Sequence, residues 1–228
     1  MKRIILWVLT VAFIGSVVAE SPLIQAGEKQ VYRERIEWCD VWVPEADKEA
    51  LPRVLLVGDS ITRGYYNAVT KNLASRAYVA RLTTSRSVCD PLFLAELKPV
   101  VEGYKWAVIH FNNGIHGQRY NDQEYEAGLK KAIEYLRQAA PEAKLILVLS
   151  TPPAPKAAQK EKELIVRRNE IVKKLAKQYK LPVDDLYTPM HGRADIYRDR
   201  YHFKRPAILE QGKLVADVIK ELLQNKQK

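Results

Sequence analysis

A chain of 228 residues, 47% hydrophobic and 28% charged, has the make-up of a single globular domain that can bury a full core without a metal or disulfide staple. Its 37 Lys and Arg outnumber 27 Asp and Glu, giving a formal charge of +10. Its two cysteines, Cys39 and Cys89, lack the neighbours a zinc site needs, and no internal repeat or low-complexity segment is present.

Lys2 and Arg3 precede an apolar run from Ile4 to Val18, and Ala19 follows before Glu20. A basic start, an apolar centre and a small-residue site mark a signal peptide over residues 1–19. An uncleaved anchor is the rival reading, but the run is short for a span and carries Thr10, Gly15 and Ser16. No Cys follows the run for lipid attachment. The expected location is periplasmic or extracellular, with no stable membrane insertion after cleavage. Losing Lys2 and Arg3 takes two charges from +10 and leaves +8. Export permits a Cys39–Cys89 disulfide, although two buried thiols fit the spacing as well.

Residues 20–52 read as an N-terminal extension packed on a main domain of residues 53–228. Within it, Tyr, Trp and Val fall in short strand-like groups, and Trp38 and Trp42 either pack there or line a pocket. From Arg53 onward strands and helices alternate. Val54–Val57 is a short continuous apolar run, as in a strand covered on both faces. Tyr78–Leu82, interrupted by Arg81, is a second candidate. Trp106–Phe111 and Lys144–Leu149 are a third and fourth, and Leu181–Leu186 a weak fifth. Asn121 and Glu124 have capping-box spacing and open a helix that runs to Ala140. Further helical stripes run through Leu164, Ile165, Ile171, Val172, Leu175 and Tyr179, and through Ile208, Val215, Ile219 and Leu222. This order predicts an α/β chain with a central parallel sheet of about five strands between two helical layers.

Between Lys160 and Lys180, eight Lys/Arg accompany three Glu. The segment reads as the solvated face of an amphipathic helix. Without Arg/aromatic interleaving or a known module, no nucleic-acid partner is expected.

Ligands of open α/β sheets sit beyond the carboxyl ends of the strands, where the strand order reverses. The first and third predicted strands meet there, so the loops "GDSITRG" and "NNGIHG" should face each other. Ser60 in the first loop is a candidate nucleophile, which requires a base, a group to orient it and oxyanion donors. The chain has four histidines, His110, His116, His191 and His202. His202 follows Asp199 by three residues in "RDRYHF", after the last strand and before the final helix. A turn of that spacing brings Asp199 to one ring nitrogen and leaves the other for Ser60. His110 inside a strand reads as a core histidine and His191 as a loop residue. Arg63 and Arg86 flank the site, where they hold a substrate carboxylate or pair with Asp59 or Asp90.

"GDSI" near the amino end, an Asn-rich loop after the third strand and "D-x-x-H" before the last helix resemble the SGNH hydrolase (GDSL esterase/lipase) superfamily, over Arg53 to about Leu223. The resemblance implies a flavodoxin-like α/β/α fold and ester hydrolysis through an acyl-enzyme, with Ser60 as nucleophile, His202 as base and Asp199 as its orienter. It also implies an oxyanion hole built from the Ser60 N–H, Asn112 with Asn113 close behind, and Ser87 or Ser85 in place of a family glycine within "TTSRSVCDP". The third block departs from the family's Gly-x-Asn-Asp and reads "NNGIHG", a divergent branch. His116 then binds substrate, assists the site or bonds within its loop; Arg86 and Asp59 are further substrate-side candidates, although Asp59 also reads as a brace for its loop. No metal or other cofactor is required.

The function expected is an exported serine esterase acting on a small acyl group, such as acetyl, carried by a carbohydrate. Two alternatives are an O-acyltransferase on the same fold and a non-catalytic glycan-binding relative.

Overall fold

The computed structural model describes residues 30–224; the proposed leader lies outside them. Six strands form one sheet in the order β1-β3-β2-β4-β5-β6. The strands are β1 (Cys39–Trp42), β2 (Arg53–Gly58), β3 (Tyr78–Thr84), β4 (Val108–Phe111), β5 (Lys144–Leu149) and β6 (Val183–Asp185). The helices are α1 (Ser60–Asn72), α2 (Leu92–Val101), α3 (Asp122–Ala139), α4 (Gln159–Tyr179) and α5 (Arg205–Gln224). Strands β2 to β6 run parallel, and β1 lies antiparallel on the edge against β3, with Cys39 opposite Thr84. The sheet is therefore mixed and mostly parallel, one strand wider than the sequence predicts.

The extra strand comes from the N-terminal segment. Residues 31–224 cluster as one compact unit, and β1 extends the sheet rather than resting on it. Arg81, which interrupts the apolar pattern of β3, is accommodated at this edge. Its guanidinium bonds Asp40 on β1 at 3.1 and 3.3 Å and lies 4.5 Å over the Tyr66 ring. Cys39 is exposed on β1 and Cys89 is buried, and no disulfide joins them.

The period-two alternation of β2 divides the core. Leu55 and Val57 pack with Phe93, Leu129, Ile133 and Leu175 from α2, α3 and α4. Val54 and Leu56 face the other way, onto Tyr65, Val69, Val215 and Ile219 from α1 and α5. All six residues of β2 are buried, as a central parallel strand covered on both faces requires. The predicted capping box holds α3: the Asn121 side chain accepts from the Glu124 N–H, and Glu124 accepts from the Asn121 N–H.

Strand pair β2/β4 is the point where the order reverses, with Val57 registered against Phe111. The loops that follow both strands open at the same sheet edge. Among the described residues no helix is long and apolar enough to cross a membrane, and no group of His, Cys, Asp or Glu converges as a metal site.

Candidate active site

Gly58 ends β2 and α1 begins two residues later, at Ser60. Asp59 between them is the helix N-cap. It is almost fully buried, and its Oδ1 accepts the Ile61 N–H at 2.8 Å. Asp59 thus fixes the strand-to-helix turn and does not line the cavities beside Ser60. Ser60 occupies the first helical position, where its N–H has no intrahelical acceptor, next to the positive end of the helix dipole.

The partner arrives from the far end of the chain. Residues 196–204 fold back on themselves through a Tyr197–Phe203 bridge, an Arg198 N–H to His202 O bond of 2.8 Å and a Lys204 N–H to Ile196 O bond of 2.7 Å. At the tip, Asp199 Oδ1 accepts the N–H of Tyr201 at 3.0 Å and of His202 at 2.9 Å. The same carboxylate holds His202 Nδ1 at 2.9 and 3.0 Å. His202 Nε2 is 2.9 Å from Ser60 Oγ. Partial burial opposes ionisation of Asp199, but these backbone and ring bonds outweigh it and push its carboxyl down to about 2. A fixed anion on Nδ1 puts the ring proton there and leaves Nε2 able to accept from Ser60. The side chains of His202 and Asp199 remain 35% and 46% exposed, so the pair sits at the surface of its cleft.

Open cavities flank Ser60 and His202. One, of about 220 Å³, is walled by Arg63, Gly64, Arg198 and Ile208. The other, of about 310 Å³, is walled by Glu34, His116, Gln118, Arg200 and Tyr201. Arg63 does not pair with Asp59; its guanidinium lies 4.5 Å over the Trp38 ring.

The residues expected as oxyanion donors behave differently. Asn112 is buried, and its amide donates to Val148 O at 3.0 Å and Ser150 Oγ at 3.2 Å. The Asn113 side chain accepts from the Val88 N–H at 3.0 Å and donates to Arg86 O at 2.8 Å, tying two loops together. Ser87 is buried, and its Oγ accepts the Cys89 N–H at 3.3 Å. None of the three lines either cavity. Arg86 is also withdrawn from the site. It bonds Glu96, meets Asp90 at 3.1 Å and meets Glu37 at 2.9 Å. His110 is a core residue, with Nε2 2.8 Å from Asp184 Oδ2, and His191 stacks on Tyr187 in a loop.

His116 does line the cavity with Ser60 and His202. Its Nδ1 lies 3.5 Å from Glu34 Oε1, and its ring meets Trp38 edge-on at 6.5 Å. Burial alone would lower its pKa. The facing Glu34 carboxylate and the charge of Asp59 outweigh burial and hold His116 above the ordinary histidine value. Glu34 is correspondingly lowered, first through its interaction with His116.

Arg168 on α4 is absent from the sequence-based site but shapes it. Fully buried, it donates to Gly114 O at 2.8 Å, His116 O at 2.7 Å and Gly117 O at 2.7 Å. Its guanidinium lies 4.6 Å from the Tyr125 ring centroid. The loop could not close this way with larger residues: a Cβ on Gly114 would come within 2.0 Å of Ser150 Oγ, and Gly117 has φ +67°. An Arg on the apolar stripe between Ile165 and Val172 was the available sequence signal.

A serine, histidine and aspartate in hydrogen-bonded series at the reversal point of a doubly covered α/β sheet is an arrangement suited to nucleophilic hydrolysis. Residues 56–205 match the model of the GDSL-like lipase/acylhydrolase family, and the chain belongs to that family of carboxylic ester hydrolases. Solved structures share the fold at low identity. A GDSL-like lipase from Bacteroides thetaiotaomicron has a TM-score of 0.61 at 19% identity, over 80% of this chain and 95% of its own. An acetyl xylan esterase has a TM-score of 0.60 at 17% identity, over 73% and 99%. A carbohydrate esterase family 3 protein from Talaromyces cellulolyticus has a TM-score of 0.61 at 14% identity, over 77% and 99%. No curated protein sequence matches the chain significantly.

Proposed function

We propose that this chain is an exported serine esterase that removes a small acyl group, acetyl above all, from a carbohydrate. Residues 1–19 act as its leader and residues 53–228 as the esterase domain, with β1 of the preceding segment completing the sheet. The observation that carries the chemistry is the continuous series from Asp199 through His202 to Ser60, with contacts of 2.9–3.0 Å.

In this reading Ser60 Oγ attacks the ester carbonyl carbon while its proton passes to His202 Nε2. The tetrahedral oxyanion forms beside the Ser60 N–H. Collapse breaks the bond to the leaving alcohol, which takes the proton from His202. Water then attacks the acyl-enzyme with His202 again as base, releasing the acid and restoring Ser60. Asp199 stays ionised throughout and keeps His202 oriented.

Two things support a polar substrate. Charged side chains line both cavities, Arg63 and Arg198 on one side and Glu34 and Arg200 on the other, an environment suited to sugar hydroxyls rather than a lipid tail. Two structural neighbours are named as an acetyl xylan esterase and a carbohydrate esterase. The test is acetate release from acetylated xylo-oligosaccharides, beside nitrophenyl esters of increasing chain length. Acetate and propionate esters should be cleaved at least about tenfold faster than octanoate, through differential transition-state binding. A preference for octanoate would overturn the assignment of a small acyl group. Adding a free sugar acceptor to the same reaction distinguishes hydrolysis, which yields acetate, from acyl transfer, which yields a new sugar ester.

A further inference from the structure

We infer that His116, as an imidazolium held by Glu34, donates the side-chain hydrogen bond to the oxyanion that forms on Ser60, in place of the asparagine amide. The inference rests on the reading of Ser60 as nucleophile and adds to it a catalytic residue.

The asparagine donors expected at the site are engaged elsewhere. An oxyanion hole needs at least one donor beyond the Ser60 N–H, preorganised beside the nucleophile. Both N–H bonds of the Asn112 amide are used inside the protein, on Val148 O and Ser150 Oγ. Asn113 gives one N–H to Arg86 O and lines neither cavity beside Ser60. Gly114 has no side chain, and there is no room for one against Ser150. The next polar side chain on this loop is His116, which lines the same cavity as Ser60 and His202.

His116 is also held as a preorganised donor should be. Arg168 fixes the loop backbone through three carbonyls, one of them that of His116 itself. Glu34 faces Nδ1 at 3.5 Å and Trp38 packs edge-on against the ring. With Nδ1 directed at Glu34, Nε2 is the nitrogen left for the cavity. Nε2 carries a proton in that arrangement only when the ring is charged. The charges around it decide its state: Glu34 and Asp59 favour the imidazolium, while burial and Arg168 oppose it. Arg33, Arg119 and Arg200 across the cavity add positive potential, and Glu161, which pairs with Arg200 at 3.0 Å, offsets part of it. The balance keeps His116 above the ordinary histidine value.

His202 must be neutral to act as base, whereas His116 must be charged to act as donor. Activity should therefore fall as His116 loses its proton.

The test uses the full chain and a small activated acetate ester, comparing His116→Ala, His116→Gln and Glu34→Gln with Ser60→Ala and His202→Ala. His116→Ala should lower kcat by about 100- to 1,000-fold with little change in KM. His116→Gln keeps a neutral N–H donor of similar reach, so it should recover part of kcat and lose the alkaline fall. Glu34→Gln removes the charge that favours the imidazolium, so the alkaline limb should move to lower pH. Thermal unfolding of each variant identifies any loss that is only misfolding, and the pH limbs of His116→Gln and Glu34→Gln do not depend on yield. If His116→Ala retains kcat within threefold while Ser60→Ala and His202→Ala are silent, the inference is overturned and the esterase reading stands. An alkaline limb unchanged in His116→Gln overturns it equally. Wild-type turnover in Ser60→Ala overturns both.

Discussion

Arg168→Lys keeps the positive charge on α4 but replaces a two-nitrogen fork with a single ammonium on a different stem. Arg168 now makes three bonds of 2.7–2.8 Å to the carbonyls of Gly114, His116 and Gly117. A lysine at this position can retain one of them. Hydrogen bonds to a charged group contribute about 1.5–3 kcal/mol each. Losing two costs about 3–6 kcal/mol, and water entering to meet the freed carbonyls brings the net to about 3–4 kcal/mol. For a domain of this size each kcal/mol moves Tm by about 2–4 °C. The expected fall is therefore about 6–16 °C, read by thermal unfolding under circular dichroism. Turnover should fall as well, because the loop that carries His116 loses its anchor. A Tm within 2 °C of the wild type, with unchanged turnover, would refute the view that Arg168 holds this loop.

Asp199→Asn removes the fixed anion from His202 Nδ1 and permits the wrong ring tautomer. The corresponding change at a buried aspartate costs about 10⁴-fold in kcat; at a half-exposed Asp199 the expected loss is about 10²–10³, measured on the same ester. The depressed carboxyl of Asp199 also sets an acid limit: its stabilising bonds are complete above its ordinary value of 3.8 and are lost as pH falls toward about 2, so the 196–204 loop should loosen in that window, as hydrogen exchange at the Tyr201 and His202 amides would show. Cys39 is exposed but its thiol is pushed up to about 11 by partial burial and Glu96, from an ordinary value of 9.0. At pH 8 it should carry about a hundredfold less thiolate than the unfolded chain, and alkylation should slow accordingly.

How far the sequence revealed this molecule depended on whether the signal was local. Continuous apolar runs marked the central strands because both faces of β2, β4 and β5 are covered. The α3 capping box was legible for the same reason: its two bonds lie within four residues. Two helices left weaker traces. In α1, Gly64 and two threonines dilute the pattern, although Ile61, Tyr65 and Val69 form its buried stripe. α2 contains Pro99, a residue that argues against a helix interior. β1 gains its identity from pairing with β3, which no property of "CDVW" announces.

At the site, residue types were easier to read than directions. Ser60, His202 and Asp199 could be named because topology returns the last loop to the first strand's edge, 142 positions later. Asn112 was the natural donor by position, but its amide points inward to Val148 and Ser150. Glu34 could not be linked to His116 from 82 residues away without knowing that the N-terminal segment borders the cavity.

The most direct measurement is the turnover of a small activated acetate ester by wild-type protein, Ser60→Ala and His202→Ala, each shown to be folded. The expected result is hydrolysis by the wild type and a loss of several orders of magnitude, about 10⁴ or more, in both variants. Equal rates in all three proteins, or none in any, would contradict the assignment of Ser60 as the nucleophile.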